Sequence, residues 1–204
     1  HCEAILTDMN QVLGKSAGHT LEILECIKYM KNDFKDHRLE KITNELISSL
    51  LVNIYKISKE DAYNKINTVI NNGLAAEKFE MMVAALGGPK NILTSYEKDL
   101  TNTSIRKDIF SKEEGWIEKI HTRDLGLILI ELGGGRKQVT DKIDYGVGYN
   151  NVLNVGDEIN PSTPLLSLYS NKNIDDNLIN KILGCFIISD KKTQKLSEIF
   201  ETIN

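Results

Sequence analysis

Proline and cysteine are scarce in this chain, 3 of each in 204 residues, and tryptophan occurs once. The cysteines, Cys2, Cys26 and Cys185, are odd in number and show no CxxC spacing. That pattern argues against a disulfide framework or a zinc site and for a reduced, cytoplasmic protein. Long apolar runs are missing too, so no membrane span is expected. No charged-then-apolar segment opens the residues in hand, so no secretory signal is expected either. Neither sign of charge dominates: the net charge is −4 and the pI near 5.6, with Lys and Arg scattered among Asp and Glu. A basic surface for nucleic acid or anionic membrane is therefore not expected as a partner site. His19, His37 and His121 stand apart, with no HxH, HExxH or Cys–His grouping, and no G-x-S-x-G elbow occurs. The first residue is His, not Met, and the expectation is a fragment or a processed product.

What is present is a hydrophobic content of 41%, enough for one good core or a core with a small satellite. An apolar strand at 4–7 ends at Thr7-Asp8, and a loop of small residues (Gly14, Ser16, Ala17, Gly18) leads to a helix near Thr20. Leu21, Leu24, Ile27 and Met30 recur at helical spacing, and Leu39, Ile42, Leu46, Ile47, Leu50 and Ile54 line one side of a second helix. Ser58 and Asp61 start a third, which carries Ala62, Ile66, Val69 and Ile70 and stops at Asn71-Asn72-Gly73. Phe79, Met82, Val83 and Leu86 make a fourth, closed by Gly87-Gly88-Pro89. One strand with several helices is part of an α/β layer, so the strand's sheet partners are expected elsewhere.

Near residue 104 the rhythm changes. "SIRKDIFS" and "GWIEKIHT" alternate as half-buried strands do, with a turn at Glu113-Glu114-Gly115. "TRDLGLILIEL" is helical, with Thr122 as N-cap and Gly133-Gly134-Gly135 as stop. Strand and turn material follows to Ser170, then a helix in "IDDNLINKILG" and a last strand in "CFIIS". A boundary is placed between 96 and 106. Residues 105–204 form a small α+β module expected to close its own core, while 1–95 carry apolar faces that need a sheet.

Three features invite a chemical reading. Asp8 ends a strand, where α/β sheets border ligand crevices, but Asp also serves as a turn residue bonding its own backbone. The Gly14–Gly18 loop lacks both the P-loop and the G-x-G-x-x-G spacing. It can offer carbonyl oxygens to a cation, completed by Glu22 or Glu25, which share a helix face; solvated helix carboxylates are the plainer alternative. Gly133-Gly134-Gly135-Arg136-Lys137 is either an anion cradle or a helix C-cap followed by a mobile loop.

The stretches "ILTDMNQVLGKSAGHTLEILECI", "NGLAAEKFEMMVAALGGP", "LGLILIELGGGRKQVTDKIDYGVGY" and "VGDEINPSTPLLSLYS" resemble, in order, the pyrimidine-nucleoside phosphorylases, and among them the bacterial thymidine phosphorylases. The resemblance covers essentially the whole chain and matches the carboxyl-terminal half of longer relatives. It implies an α/β fold: residues 1–100 as part of the central nucleoside- and phosphate-binding α/β domain, and 105–204 as a small, sandwich-like α+β carboxyl-terminal domain. The latter is similar to lipoyl and biotinyl carriers but lacks their lysine at a hairpin tip.

The resemblance implies a pentosyltransferase of pyrimidine salvage, acting on thymidine and phosphate, cytoplasmic and homodimeric in its full length. A broader nucleoside phosphorylase, or a truncated non-catalytic binding module, are the alternatives. The family's Lys-His-Ser-Thr-Gly-Gly phosphate loop and its Arg, Ser and Lys for the base do not occur here, so no catalytic residue is assigned. No organic cofactor is implied. A structural potassium ion is: the matching positions are the carbonyls of Leu13 and Ser16 and the carboxylate of Glu25. "GGGRK" would lie near a cleft mouth and assist closure.

Overall fold

The computed structural model describes residues 2–100 and 103–203. Its elements run β1 (Ala4–Thr7), α1 (His19–Met30), α2 (His37–Tyr55), α3 (Lys59–Asn71), α4 (Leu74–Ala85) and α5 (Ile92–Leu100). Then come β2 (Ile105–Phe110), β3 (Gly115–Ile120), α6 (Thr122–Leu132), β4 (Gly148–Asn150), β5 (Glu158–Ile159), β6 (Pro164–Ser170), α7 (Asp176–Leu183), β7 (Phe186–Ser189) and β8 (Ile199–Ile203). The chain is mixed α/β and divides into two compact units that are not contiguous in sequence. One holds His1–Thr7, Leu24–Asp99 and Glu198–Asn204; the other holds Asp8–Ile23 and Leu100–Ser197.

In the first unit the helix starts are set by side-chain caps. Asp36 accepts from the Arg38 and Leu39 amides at 3.0 Å each and opens α2. The Ser58 hydroxyl accepts from the Asp61 amide at 3.0 Å and opens α3 where the sequence pattern placed it. Gly73, at φ 80°, turns α3 into α4 with almost no loop. The helix α5 was not foreseen; Ile92 and Tyr96, four apart, are its buried side.

The expected apolar stripe of α2 is only half used. Leu39 and Ile42 are buried, but Leu46, Ile47, Leu50 and Ile54 are exposed. The buried face runs instead through Arg38, Asn44 and Ser48, and Asn44 accepts the Tyr29 hydroxyl at 3.1 Å. Burial pushes the Tyr29 phenol up to about 12, so it acts as a neutral donor there. In α4, Met82 and Leu86 of the expected face are exposed, and Ala76 is the buried residue.

The strand β1 finds a partner within the chain, contrary to the expectation that its sheet lay elsewhere. It pairs antiparallel with β8, Ala4 opposite Ile203 and Leu6 opposite Glu201, with an irregularity before Thr7. The segment "IFETI" is short, apolar and β-branched enough to pair, and it follows the strand that had been taken as last. Glu3 is bound by Ser49 and by Asn53 at 2.9 Å, and Glu198 by Lys41 at 2.7 Å, so both strands are tied to α2.

The second unit contains two antiparallel three-stranded sheets, in the orders β2-β6-β4 and β5-β3-β7. The turn at 113–115 therefore joins two sheets rather than two arms of one hairpin. Gly115 (φ 142°) is required there, since a Cβ would lie 2.2 Å from the Ser189 carbonyl oxygen. Central strand β6 is buried almost throughout, with Leu165, Leu166 and Leu168 fully inside. Tyr149 of β4 is enclosed with them and donates its hydroxyl to the Leu125 carbonyl at 3.2 Å. The helix α6 starts one residue before expectation: His121 is its N-cap, without a side-chain bond, while Thr122 donates to the Ile120 carbonyl. Gly133 ends it as expected, at φ 105°.

Residues 8–23 thus belong with 100–197, and 198–204 with the first hundred, unlike the division at 105. Replacing residues 100–103 by a protease site and cutting it should leave the two pieces bound in size-exclusion chromatography. Each piece carries a segment that completes the other's unit. Elution of a folded carboxyl-terminal piece on its own would contradict this division.

Candidate functional site

The loop between β1 and α1 is built on a chain of polar contacts within the second unit. Asp8 is buried and acts as a turn residue: its Oδ1 accepts from the Asn10 amide at 2.9 Å and from Asn10 Nδ2 at 2.7 Å. Its Oδ2 accepts from Gln11 Nε2 at 2.8 Å, and Gln11 Oε1 accepts from the Val155 amide at 3.0 Å. Both Gln11 atoms are therefore used, and Gln11 is buried. Further along, the Lys15 carbonyl accepts from the Val152 amide at 3.0 Å. Ala17 and Tyr149 exchange both main-chain bonds, at 3.0 and 2.7 Å, and the Tyr145 carbonyl accepts from the Thr20 amide at 3.1 Å.

The backbones at this crossing are too close for side chains. A Cβ on Gly148 would lie 2.6 Å from the Ala17 carbonyl oxygen, and one on Gly18 2.5 Å from that of Val147. The Lys15 ammonium lies 3.7 Å from Asp157, which also holds Lys195 at 3.1 Å and accepts from the Asn154 amide at 2.8 Å. At the helix start, Glu22 turns back to accept from the Gly18 amide at 2.8 Å. That carboxylate is engaged in capping α1.

Of the expected cation ligands, Leu13 and Ser16 lie in this loop; Leu13 is 51% exposed and Ser16 5%. Glu25 is half-buried on α1, in the stretch of that helix that belongs to the first unit. Gln11, which sequence reasoning passed over, is the residue that couples the loop to the 152–155 turn. Its signal was available in "DMNQ", where an acceptor and an amide stand three apart just before an apolar residue.

The Gly133–Lys137 segment begins as the expected helix C-cap. The Gly134 amide donates to the Leu129 carbonyl at 2.8 Å, a C-cap contact, and the Lys172 ammonium donates to the Glu131 carbonyl at 3.1 Å. The cradle itself is filled from within. The Lys137 and Gln138 amides both donate to Asp141 Oδ2 at 2.9 Å. These amides hold the Asp141 carboxyl below its ordinary value of 3.8, with Lys137 and Arg136 adding to the effect.

Hollows also occur among the described residues. An open apolar groove of about 1150 Å³ runs along α2 and α3, past Ile47, Leu51, Ile66 and Val69. One of about 370 Å³ is lined by Asn10, Lys119, Val155 and Leu196, and one of about 340 Å³ by Asp124, Glu131, Lys181 and Cys185. The Cys185 thiol donates to the Lys181 carbonyl and is pushed up to about 11 by burial, so it is no nucleophile at neutral pH. Among the described residues no three His, Cys, Asp or Glu side chains gather as a metal site, and no helix is long and apolar enough to cross a membrane.

Asp141 makes a direct prediction. Its folded value is depressed, so its hold on the turn is complete above the ordinary value and is lost as pH falls through the lower folded one. Lys137 and Gln138 amide signals in an NMR titration should move only below pH 3.8. In Asp141→Asn they should stay flat in that range, with the core resonances unchanged.

The chain has known counterparts. Residues 116–189, which run from β3 to β7, match the family described as pyrimidine nucleoside phosphorylase C-terminal domain. Over 185 residues the chain is 38% identical to thymidine phosphorylase of Colwellia psychrerythraea (strain 34H / ATCC BAA-681), an alignment covering 90% of this chain and 42% of that protein. The chain thus spans less than half the length of that relative.

Proposed function

We propose that the chain is a carboxyl-terminal portion of a thymidine/pyrimidine nucleoside phosphorylase and takes part in the reversible phosphorolysis of thymidine to thymine and 2-deoxyribose 1-phosphate. The observation that carries this reading is the 38% identity to a thymidine phosphorylase across 90% of the chain. In the reaction the bond between the sugar C1′ and the base nitrogen breaks, and a phosphate oxygen bonds to C1′. The base leaves with the electron pair and takes up a proton. Such chemistry rests on positioning the phosphate and on stabilising developing charge. The acting protein is the full-length enzyme, a cytoplasmic homodimer in this reading, with thymidine and phosphate as its small-molecule partners.

This chain's own contribution is the 8–18 loop, α1 and the unit that grips the loop. The donor set assigned to a cation consists of the Leu13 and Ser16 carbonyls and the Glu25 carboxylate. It is all oxygen, without imidazole or thiolate, and so suits a hard cation. The neighbouring carbonyls of Lys15 and Ala17 accept from the Val152 and Tyr149 amides. Glu22 accepts from the Gly18 amide, and the resemblance assigns the ligand role to Glu25. A bound potassium ion would supply positive charge and a tie between this loop and the remainder of the enzyme, where the other ligands would lie.

The test is thymine release from thymidine in the presence of phosphate. The full-length enzyme should turn over and the 204-residue chain should not, because it lacks the motifs that would supply most of a barrier reduction of at least about 8 kcal/mol. Turnover by this chain alone, or none by the full-length enzyme, would contradict the reading.

Glu25→Gln tests the cation set. In the full-length parent, potassium at a hundred times its dissociation constant should add about 2.7 kcal/mol of stability relative to tetramethylammonium. Melting curves should show that gain lost in Glu25→Gln and kept in Glu22→Gln. Equal potassium responses in parent and Glu25→Gln would return Glu25 to an ordinary helix carboxylate.

A further inference from the structure

The connection between α3 and α4 carries a reactive sequence. Asn72-Gly73 is the only Asn-Gly pair in the chain, and these two residues alone separate Asn71, which ends α3, from Leu74, which starts α4. In an Asn-Gly pair the following backbone nitrogen reaches the side-chain carbonyl carbon most readily, because glycine has no Cβ to hinder it. The approach is open here: Asn72 is exposed, and a Cβ at Gly73 would meet nothing within 4 Å. The Leu74 amide donates to Asn72 Oδ1 at 3.1 Å. That bond folds the side chain around the Gly73 nitrogen lying between, and it polarises the carbonyl where negative charge develops on attack. A second contact holds the nucleophile back. The Gly73 amide donates to the Ile70 carbonyl at 3.2 Å, in the last turn of α3.

We propose that Asn72 is a site of spontaneous deamidation, gated by opening of the Gly73–Ile70 hydrogen bond, and that its isoaspartyl product unseats α4. In the reaction the Gly73 nitrogen bonds to Asn72 Cγ, the bond from Cγ to Nδ2 breaks, and ammonia leaves with the Gly73 proton. Water then opens the five-membered imide. Attack at Cγ gives an ordinary aspartate. Attack at the main-chain carbonyl gives an isoaspartyl linkage, in which the chain runs through the former side chain. The gate is local, since helix ends open far more readily than cores.

The two products differ in consequence. An aspartate keeps the backbone and puts a negative charge at the N-terminus of α4, where the helix dipole favours it. An isoaspartyl linkage adds a backbone carbon to a connection without slack. Ala76 is the buried residue that seats α4, which is little to hold the helix against such a shift.

The test uses the full-length enzyme, kept folded at mildly alkaline pH and then digested with trypsin. The peptide that follows Lys65, Ile66 to Lys78, holds Asn67, Asn71 and Asn72, so two asparagines serve as internal controls. Mass spectrometry should show a gain of one mass unit at residue 72 alone, and a protein isoaspartyl methyltransferase should label the converted peptide. A synthetic peptide of residues 66–78, which has no gate, should convert faster than the enzyme. Conversion at Asn71 as fast as at Asn72, or none in the enzyme while the peptide converts fully, would overturn the site. Equal rates in peptide and enzyme would overturn the gate.

Hydrogen exchange reads the consequence. In the aged enzyme α4 should show a fast-exchanging population as large as the methyl-labelled fraction, and in Asn72→Asp it should exchange as in the parent. Unchanged exchange in the aged enzyme, or an equal rise in Asn72→Asp, would overturn the unseating of α4.

Discussion

The pair of main-chain hydrogen bonds between Ala17 and Tyr149 is the contact from which the rest of the second unit's architecture follows. Each bond contributes only about 0.5–1.5 kcal/mol net. Their weight comes from what Tyr149 is attached to. Its ring lies inside the core with Leu165, Leu166 and Leu168, and its hydroxyl reaches the Leu125 carbonyl that α6 presents. To lift the loop, β4 would have to move, and β4 cannot move without opening that core. A loop that would otherwise be a low-stability segment is held at close to the stability of the module. The geometry requires two glycines facing each other, Gly18 and Gly148, since main chains this close leave no room for a Cβ.

Polar groups along the loop are satisfied one by one, and the same economy recurs elsewhere. Asp8 and Gln11 serve the turn and the Val155 amide; Glu22 serves the Gly18 amide; Asp157 holds two lysines and the Asn154 amide. Asp141 fills its own cradle of amides after α6. Buried or half-buried polar atoms left unpaired would cost more than these bonds return, so the loops are specified as firmly as the strands.

Covalent order and spatial order differ in this protein. Residues 8–23 come early in the chain and fold with the module matched at 116–189, while β8 comes last and pairs with β1. Such an arrangement makes the family module more than an appended domain. It holds the loop that opens α1.

Much of this was legible from local pattern. Helical spacing located α1 to α4, Ser58 announced the start of α3, and Gly133 marked the end of α6, because periodicity and capping are encoded within a few residues. The mixed α/β class and the second unit's strands followed from the change of period near residue 104. The small-residue loop and its acidic neighbours were also visible, down to the two carboxylates that share a face of α1. Their roles were not: Glu22 and Glu25 look alike until the Gly18 amide is seen to take the first. Nor could pattern tell that α2 buries Asn44 and exposes Leu50, since that choice was made by the Tyr29 hydroxyl on another helix. The pairing of β1 with β8 joins residues almost a chain length apart, and the grip of Gln11 on Val155 spans 144 positions. Sequence alone determined which segments would be helix, strand and turn, because those depend on neighbours in the chain. Tertiary structure decided which strand met which, and which polar side chain met which amide, because those depend on groups that only folding brings within 3 Å.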